Sequence, residues 1–251
     1  MKLLGIDTCG LEPGVALAEG TEVLAEERLP AGSRASQELL PAIERLLRSA
    51  SLGLEEVEGF AAVRGPGSFT GLRVGLATAS GLALATGRPA AGFSALDLLS
   101  EQAPGSAPSV WAVLDAGRGE FYAAHYRRAG RRLERSGEYR LLSAAAVIAV
   151  VGAEAKVAGE QAGAEASAGA GGTVLLGGGA EALRSMFERS VPEARVVPHR
   201  AWLAGDAAGS LARTLAAGGR PAPGSLRPLY IRPSEAERTA RWRTTSSAST
   251  A

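Results

Sequence analysis

Thirteen consecutive residues, Val74 to Thr86, carry no charge. They read as a helix from about Leu72 to Thr86, closed by Gly87 in a left-handed cap and by Pro89 just beyond. A helix lying on a sheet normally turns one polar face to water, and a helix apolar all round is buried all round. The outward side of this helix therefore needs a cover, either a second part of the chain or another subunit. Gly75, Ala79 and Ala83 recur at i+4 spacing, a small-residue stripe that lets another helix come close. A second apolar face precedes it. Leu39, Leu40, Ile43, Leu46 and Leu47 follow the i, i+1, i+4, i+7, i+8 pattern of a helix over Ser36 to Ser49. Pro41 falls early there and removes one backbone donor, which predicts a late start or a kink. The candidate docking platform is thus Leu39, Leu40, Ile43 and Leu47 with Leu72, Gly75, Leu76, Ala79, Leu82 and Ala83.

Around these helices the pattern is α/β. Leu3 to Ile6, Val15 to Ala18 and Thr21 to Arg28 read as an antiparallel meander, and Phe60 to Val63 and Ala90 to Phe93 as later strands. Ser94 caps a helix from Ala95 to Gln102, and the Pro, Gly and Ser of Ala103 to Pro108 mark a boundary. A β-hairpin follows, Val110 to Leu114 and Glu120 to Tyr126. Ser143 to Gly172 is dominated by Ala and Gly and reads as a low-complexity insert, partly helical at best. Thr173 to Leu176 is a strand, with helices over Ala180 to Arg189 and Ala201 to Ala217. The expected organisation is a first lobe of residues 1–103 plus 201–232, a smaller second lobe of 109–200, and a disordered tail of 233–251. Strands that begin antiparallel and continue through helices suggest an actin-like or sugar-kinase-like (ASKHA) architecture, two lobes each with a mixed sheet flanked by helices.

Composition excludes several classes. Net charge is +1, so bulk charge gives no argument for direct nucleic-acid binding. The single cysteine, Cys9, allows no internal disulfide and fits a reducing cytosol. The apolar run in MKLLGID is too short for a signal peptide, and no segment approaches the roughly 20 apolar residues of a membrane span. The expected location is cytoplasmic. His125 and His199 are the only histidines and form no metal-binding pair.

The most informative motif is the loop Gly65-Pro66-Gly67-Ser68-Phe69-Thr70-Gly71, followed by Leu72-Arg73, between a strand and a helix. A glycine-rich entry to a helix N-terminus suits an anion. However, a P-loop needs Lys then Ser/Thr after its last glycine, and the dinucleotide fingerprint has a spacing one residue shorter. Two readings remain, a phosphate loop and a tight connection that packs the helix closely on the sheet, with the packing reading favoured.

At these residues the sequence resembles a known family. LLGIDT, SQELLPAIERLL, RGPGSFTGLRVGLATASGLALATG, LDAGRGEFY and PLYIR occur in the order found in TsaB, once called YeaZ. The resemblance covers roughly the first 125 residues and returns at Tyr230-Ile231-Arg232. It implies an ASKHA fold and a non-catalytic subunit that docks the catalytic paralogue TsaD, joined by the ATPase TsaE. That complex places threonylcarbamoyl on the adenosine next to the anticodon in tRNAs reading codons that begin with A. It further implies no cofactor held by this chain alone, ATP or ADP at the interface of the complex, tRNA met only through the complex, and a homodimer when TsaD is absent. Asp7 matches the phosphate- or metal-facing acid of actin-like ATPases, or simply caps its strand. Asp115, Arg118 and Glu120 match the family's hairpin, either as a local turn or as the border of a nucleotide cleft. Where relatives often carry His, this chain has Ala35.

Two other classes compete with docking. A self-sufficient ATP-binding enzyme of the sugar-kinase type would use Asp7. A serine hydrolase would use Ser68, but G-P-G-S-F is not G-x-S-x-G and no His–acid pair stands beside it.

Overall fold

A computed structural model describes residues 1–10, 12–30, 33–162, 172–222 and 224–232. The first sheet is built from β1 (Lys2–Asp7), β2 (Gly14–Glu19), β3 (Glu22–Arg28), β4 (Gly59–Val63) and β5 (Ala90–Phe93), in the order β3-β2-β1-β4-β5. β1 pairs antiparallel with β2 and parallel with β4, and β5 continues parallel. A hairpin can join the antiparallel strands, whereas each parallel pair needs a crossover helix.

Those helices cover the two faces. α1 (Ala35–Ser49) and α2 (Phe69–Thr86) pack on one side of the sheet, and α7 (Ala204–Ala216) packs on the other. Alternation along β1 explains this. Ile6 points at α2, close to Gly75, while a side chain at Gly5 would run into the carbonyl of Ala204. Both faces of β1, β2 and β4 are therefore apolar, as a sheet covered on both sides requires. Edge strand β3 alternates between half-buried and exposed residues, the pattern of one wet face.

The second sheet contains β6 (Ser109–Gly117), β7 (Glu120–Ala129), β8 (Arg132–Arg135), β10 (Thr173–Leu176) and β11 (Ala194–Val196), ordered β11-β10-β6-β7-β8, with β9 (Arg140–Ser143) also pairing β7. One face carries Trp111, Val113 and Phe121 under α4 (Ala144–Ala162), α5 (Gly178–Ala182) and α6 (Arg184–Ser190). The other carries Val110, Ala112 and Tyr126 against α3 (Ala95–Glu101). α3 also lends Leu98 to the first sheet's core. Tyr126 and Tyr139 both donate to the Asp97 carboxylate of α3, each at 2.7 Å.

Several expectations need correction. α1 begins at Ala35, so Pro41 causes no late start; it lies inside the helix on the exposed side, where one lost backbone bond leaves no buried group stranded. Much of the Ala/Gly-rich segment is a long helix, α4. Its Val147, Val151 and Ala155 recur every four residues and are buried. β8, β9 and β11 are strands the sequence reading did not contain. The tail 233–251 and residues 163–171 of the insert lie outside the described residues. Among the described residues, no helix is long and apolar enough to cross a membrane.

Candidate functional site: a packed loop and a docking helix

The Gly-rich loop is pressed onto the end of β1. A Cβ at Gly71 would sit 1.9 Å from the carbonyl oxygen of Thr8, and one at Gly67 would sit 2.3 Å from that of Cys9. Only glycine permits so close an approach. Hydrogen bonds fix the contact. Ser68 N–H donates to Cys9 O at 3.0 Å, and Thr8 Oγ1 donates to Gly71 O at 2.7 Å. Ser68 Oγ caps α2 by accepting from Gly71 N–H at 3.2 Å. Two amides that a phosphate would use, those of Ser68 and Gly71, are thus already spent on protein oxygens, which leaves less of the loop for an anion. The packing reading accounts for it. Ser68 is a helix cap, not a nucleophile poised beside a base.

Asp7 lies under the same turn and is fully buried. Its Oδ1 accepts from the amides of Cys9 at 3.0 Å and Gly10 at 3.1 Å, and from Cys9 Sγ at 3.4 Å. Oδ2 has no partner among the described residues. Burial pushes the Asp7 carboxyl above its ordinary range, and the two amides oppose that shift. Burial also pushes the Cys9 thiol well up, and the neighbouring Asp7 adds to the rise, so this thiol stays protonated and inert.

The hairpin residues Asp115, Arg118 and Glu120 sit at the β6–β7 turn. Gly117, Arg118 and Gly119 all have positive φ there, and Asp115 Oδ1 accepts from Gly117 N–H at 2.6 Å. Glu120 holds Arg232 at 2.6 Å. The segment 229–232 runs between loop and hairpin. Leu229 N–H donates to Arg64 O at 2.8 Å, and Tyr230 stacks on Phe69 with ring centroids 5.2 Å apart. Arg73 lies over the Phe69 ring and donates to the Tyr230 hydroxyl at 2.8 Å, while Ile231 packs on the second sheet's core. The family resemblance includes Tyr230-Ile231-Arg232, but a contact between residues more than 150 positions apart leaves no periodic signal by which the sequence could place it.

Elsewhere, an open cleft of about 420 Å³ is lined by Glu101, Gln102, Pro198, His199, Arg200 and Asp206. Gln102 accepts from Arg200 N–H at 2.7 Å and donates to Asp206 at 3.1 Å. Burial raises both Glu101 and Asp206, against the pull of Arg213 and Arg200. Its lining contains none of the predicted nucleotide-cleft residues. Among the described residues, no group of three or more His, Cys, Asp or Glu is placed to hold a metal. His125 is buried, stacked on Trp111, with Ser109 Oγ 3.0 Å from Nε2.

The docking platform needs the largest correction. Leu39, Ile43, Leu47, Leu72, Gly75, Leu76 and Ala79 are interior. Gly75 meets Thr8 on the first sheet, so its small size serves packing within the chain and not the approach of another helix. Leu82 and Ala83 are half-buried, and Leu40 alone of the predicted set is well exposed, at 59%. The outward side of α2 consists instead of Arg73, Ala77, Ser80, Gly81, Leu84 and Ala85, with Leu84 87% exposed. Beyond Arg73 that side carries no charge. Among the described residues, the main packing of α2 is on α1, β1, β4 and β5, with Tyr230 against its first turn.

The family model described as TsaD, tRNA N6-adenosine threonylcarbamoyltransferase, matches residues 30–229. The chain belongs to this family, on its TsaB (YeaZ) branch. It is 37% identical over 130 residues to the tRNA threonylcarbamoyladenosine biosynthesis protein TsaB of Escherichia coli (strain K12), covering 51% of this chain and 56% of that protein. To TsaB of Bacillus subtilis (strain 168) it is 29% identical over 134 residues, 53% and 58% of the two chains. The match thus spans about half the length of these curated relatives. Two solved structures extend further. A protein from Pseudomonas aeruginosa with similarity to peptidase YeaZ superposes with a TM-score of 0.65 at 26% identity, covering 92% of this chain and 99% of that one. YeaZ from Pseudomonas aeruginosa gives 0.63 at 29%, covering 91% and 99%. The architecture is therefore that of the YeaZ structures, two mixed sheets flanked by helices.

Proposed function

We propose that this chain is a non-catalytic docking subunit in the synthesis of threonylcarbamoyladenosine in tRNA, and that it holds a TsaD-type transferase on the outward face of α2. The observation that carries this reading is Leu84, 87% exposed on a helix side that bears no charge beyond Arg73. A charge-free helix side that carries an exposed leucine suits an apolar contact with a partner. Leu40 on the neighbouring α1 extends the platform. The packed loop supports the absence of catalysis, because its Ser68 and Gly71 amides are spent on protein oxygens. Any ATP or ADP of the complex is then held mainly by partner chains, a TsaE-type ATPase among them, and tRNA is modified by the transferase. In the absence of the transferase, a second copy of the chain covers the same face.

Co-expression with the TsaD-type protein of the same genome tests this. Leu84→Asp should reduce co-purification roughly tenfold or more, since it places an unpaired carboxylate in an apolar contact. Its far-UV spectrum should remain that of the wild type. A variant that co-purifies as the wild type does would refute docking on this face.

A further inference from the structure

Beyond docking, we propose that the β7–β8 hairpin and the start of β9 form a basic edge that takes the phosphate backbone of RNA. Residues 127–140 contain six arginines and two glutamates, a net charge of +4 in a chain whose total is +1. The excess is therefore local, and the rest of the molecule is slightly acidic.

The structure gathers these charges at one border. β8 is the last strand of the second sheet, and β9 pairs the same neighbour, β7. In the register, Arg127 faces Glu134 and Ala129 faces Arg132, so Arg127 and Arg132 are diagonal neighbours on one face, about 7–8 Å apart. Arg140 is paired with Ala123 and so projects from that same face. Arg131 stands at the two-residue turn beside Gly130, whose φ is 61°. Arg127, Arg131, Arg132 and Arg140 are exposed, and Arg131 and Arg132 make no hydrogen bond or ion pair among the described residues. The edge is held firmly. Arg128 donates to the carbonyls of Ala107 and Pro104, Arg127 holds Glu154 at 2.8 Å, and Arg135 lies 4.0 Å over the Tyr139 ring.

The chemistry of the edge narrows its partner. All its cations are arginines, whose planar forks suit phosphate bidentately. No large hydrophobic side chain is exposed on residues 127–140, whereas a membrane-surface element needs an apolar face beside its basic one. Exposed guanidinium groups gathered at one sheet edge, with Arg131 and Arg132 unengaged by the described residues, fit a polyanion. Naming that polyanion RNA rests on the proposed part in tRNA modification; the basic edge itself does not. The edge belongs to the second sheet and the apolar platform to the first, so one chain can meet RNA and protein through separate surfaces.

The test uses the full chain and a labelled tRNA transcript, titrated at several salt concentrations between about 50 and 200 mM. The wild type should bind with an affinity that falls steeply as salt rises. Arg131→Ala/Arg132→Ala should flatten the slope of log K against log salt by roughly 1.5 to 2, two phosphate contacts, with an unchanged melting temperature. An unchanged slope, no binding of tRNA by the wild type, or stronger retention on phosphatidylserine vesicles or polyglutamate than on tRNA would overturn the proposal. Co-purification with the transferase is scored in parallel on the same double variant. Its retention alongside a lost tRNA slope separates this surface from the docking face, and a failure of docking in the wild type leaves the tRNA titration readable on its own.

Discussion

Gly71→Ala and Gly81→Ala should change stability in opposite directions, although both put a methyl group on α2. At Gly71 the new Cβ would lie 1.9 Å from Thr8 O and 2.9 Å from Thr8 C, both backbone atoms that cannot rotate away. The first turn of α2 must lift by more than 1 Å to reach an ordinary contact. That lift stretches the 2.7 Å bond from Thr8 Oγ1 to Gly71 O. Overpacking of this kind costs about 1–3 kcal/mol, and a weakened buried hydrogen bond adds about 0.5–1.5 kcal/mol. Alanine returns about 1 kcal/mol of helix propensity. The net expectation is a loss of about 1–3 kcal/mol. At Gly81 nothing lies within 4 Å of the new methyl, so only the propensity acts, a gain of about 0.5–1 kcal/mol. Urea denaturation followed by far-UV circular dichroism reads both differences. If Gly71→Ala is as stable as the wild type, the loop is not pressed onto β1 and the phosphate reading regains its ground.

Two further predictions probe the second sheet. Burial holds His125 below its ordinary value of 6.5, and His199 shifts the same way. The unfolded chain takes up protons that the folded histidines refuse, so the histidine contribution is flat above about pH 6.5 and lowers stability below it, by at most about 1.4 kcal/mol per pH unit for each histidine, while the raised carboxyls of Asp7, Glu101 and Asp206 act in the opposite sense. Denaturation midpoints measured at about pH 7.5 and 5.5 isolate the histidine effect: acidification should cost His125→Gln less stability than it costs the wild type. Val151 is fully buried on the inner face of α4. Val151→Ala should cost about 1.5–3 kcal/mol in the same urea assay, and no loss would mean that α4 is not part of this core.

The elements that could be read from sequence are those whose burial imposes a period. The strands at β1, β2, β4 and β10 are short apolar runs bounded by turn residues, and α1 carries its leucines on one side. β8 and β9 escaped because they are four-residue strands, Arg-Leu-Glu-Arg and Arg-Leu-Leu-Ser, too short and without the apolar alternation that would mark them. Averaging hid their charge as well: a total of +1 says nothing about +4 gathered on fourteen residues. The Ala-rich α4 escaped for another reason. Alanine is the best helix former, yet a segment of Ala and Gly resembles low complexity until a partner surface selects one face. Here Trp111 and Phe187 supply that surface to Val147 and Val151.

The error over the docking residues has the sharpest physical cause. A helix with a polar face orients itself, because the charges mark the side that meets water. α2 lacks that mark beyond Arg73, so spacing identifies stripes without saying which one is outermost. The deciding information lies in β1. Thr8 and Ile6 occupy the space beside Gly75, which turns the small-residue stripe inward. Leu84, 87% exposed, is left to the outside. The inversion leaves one sequence fact unchanged: beyond Arg73 no position around α2 carries a charge. An Asp at Ala79, fully buried, would report on core packing and could not distinguish a lost partner from a lost fold. Leu84→Asp separates them, since its cost to the monomer is confined to an unfavourable carboxylate near the helix C-terminus, about 0.3–1 kcal/mol.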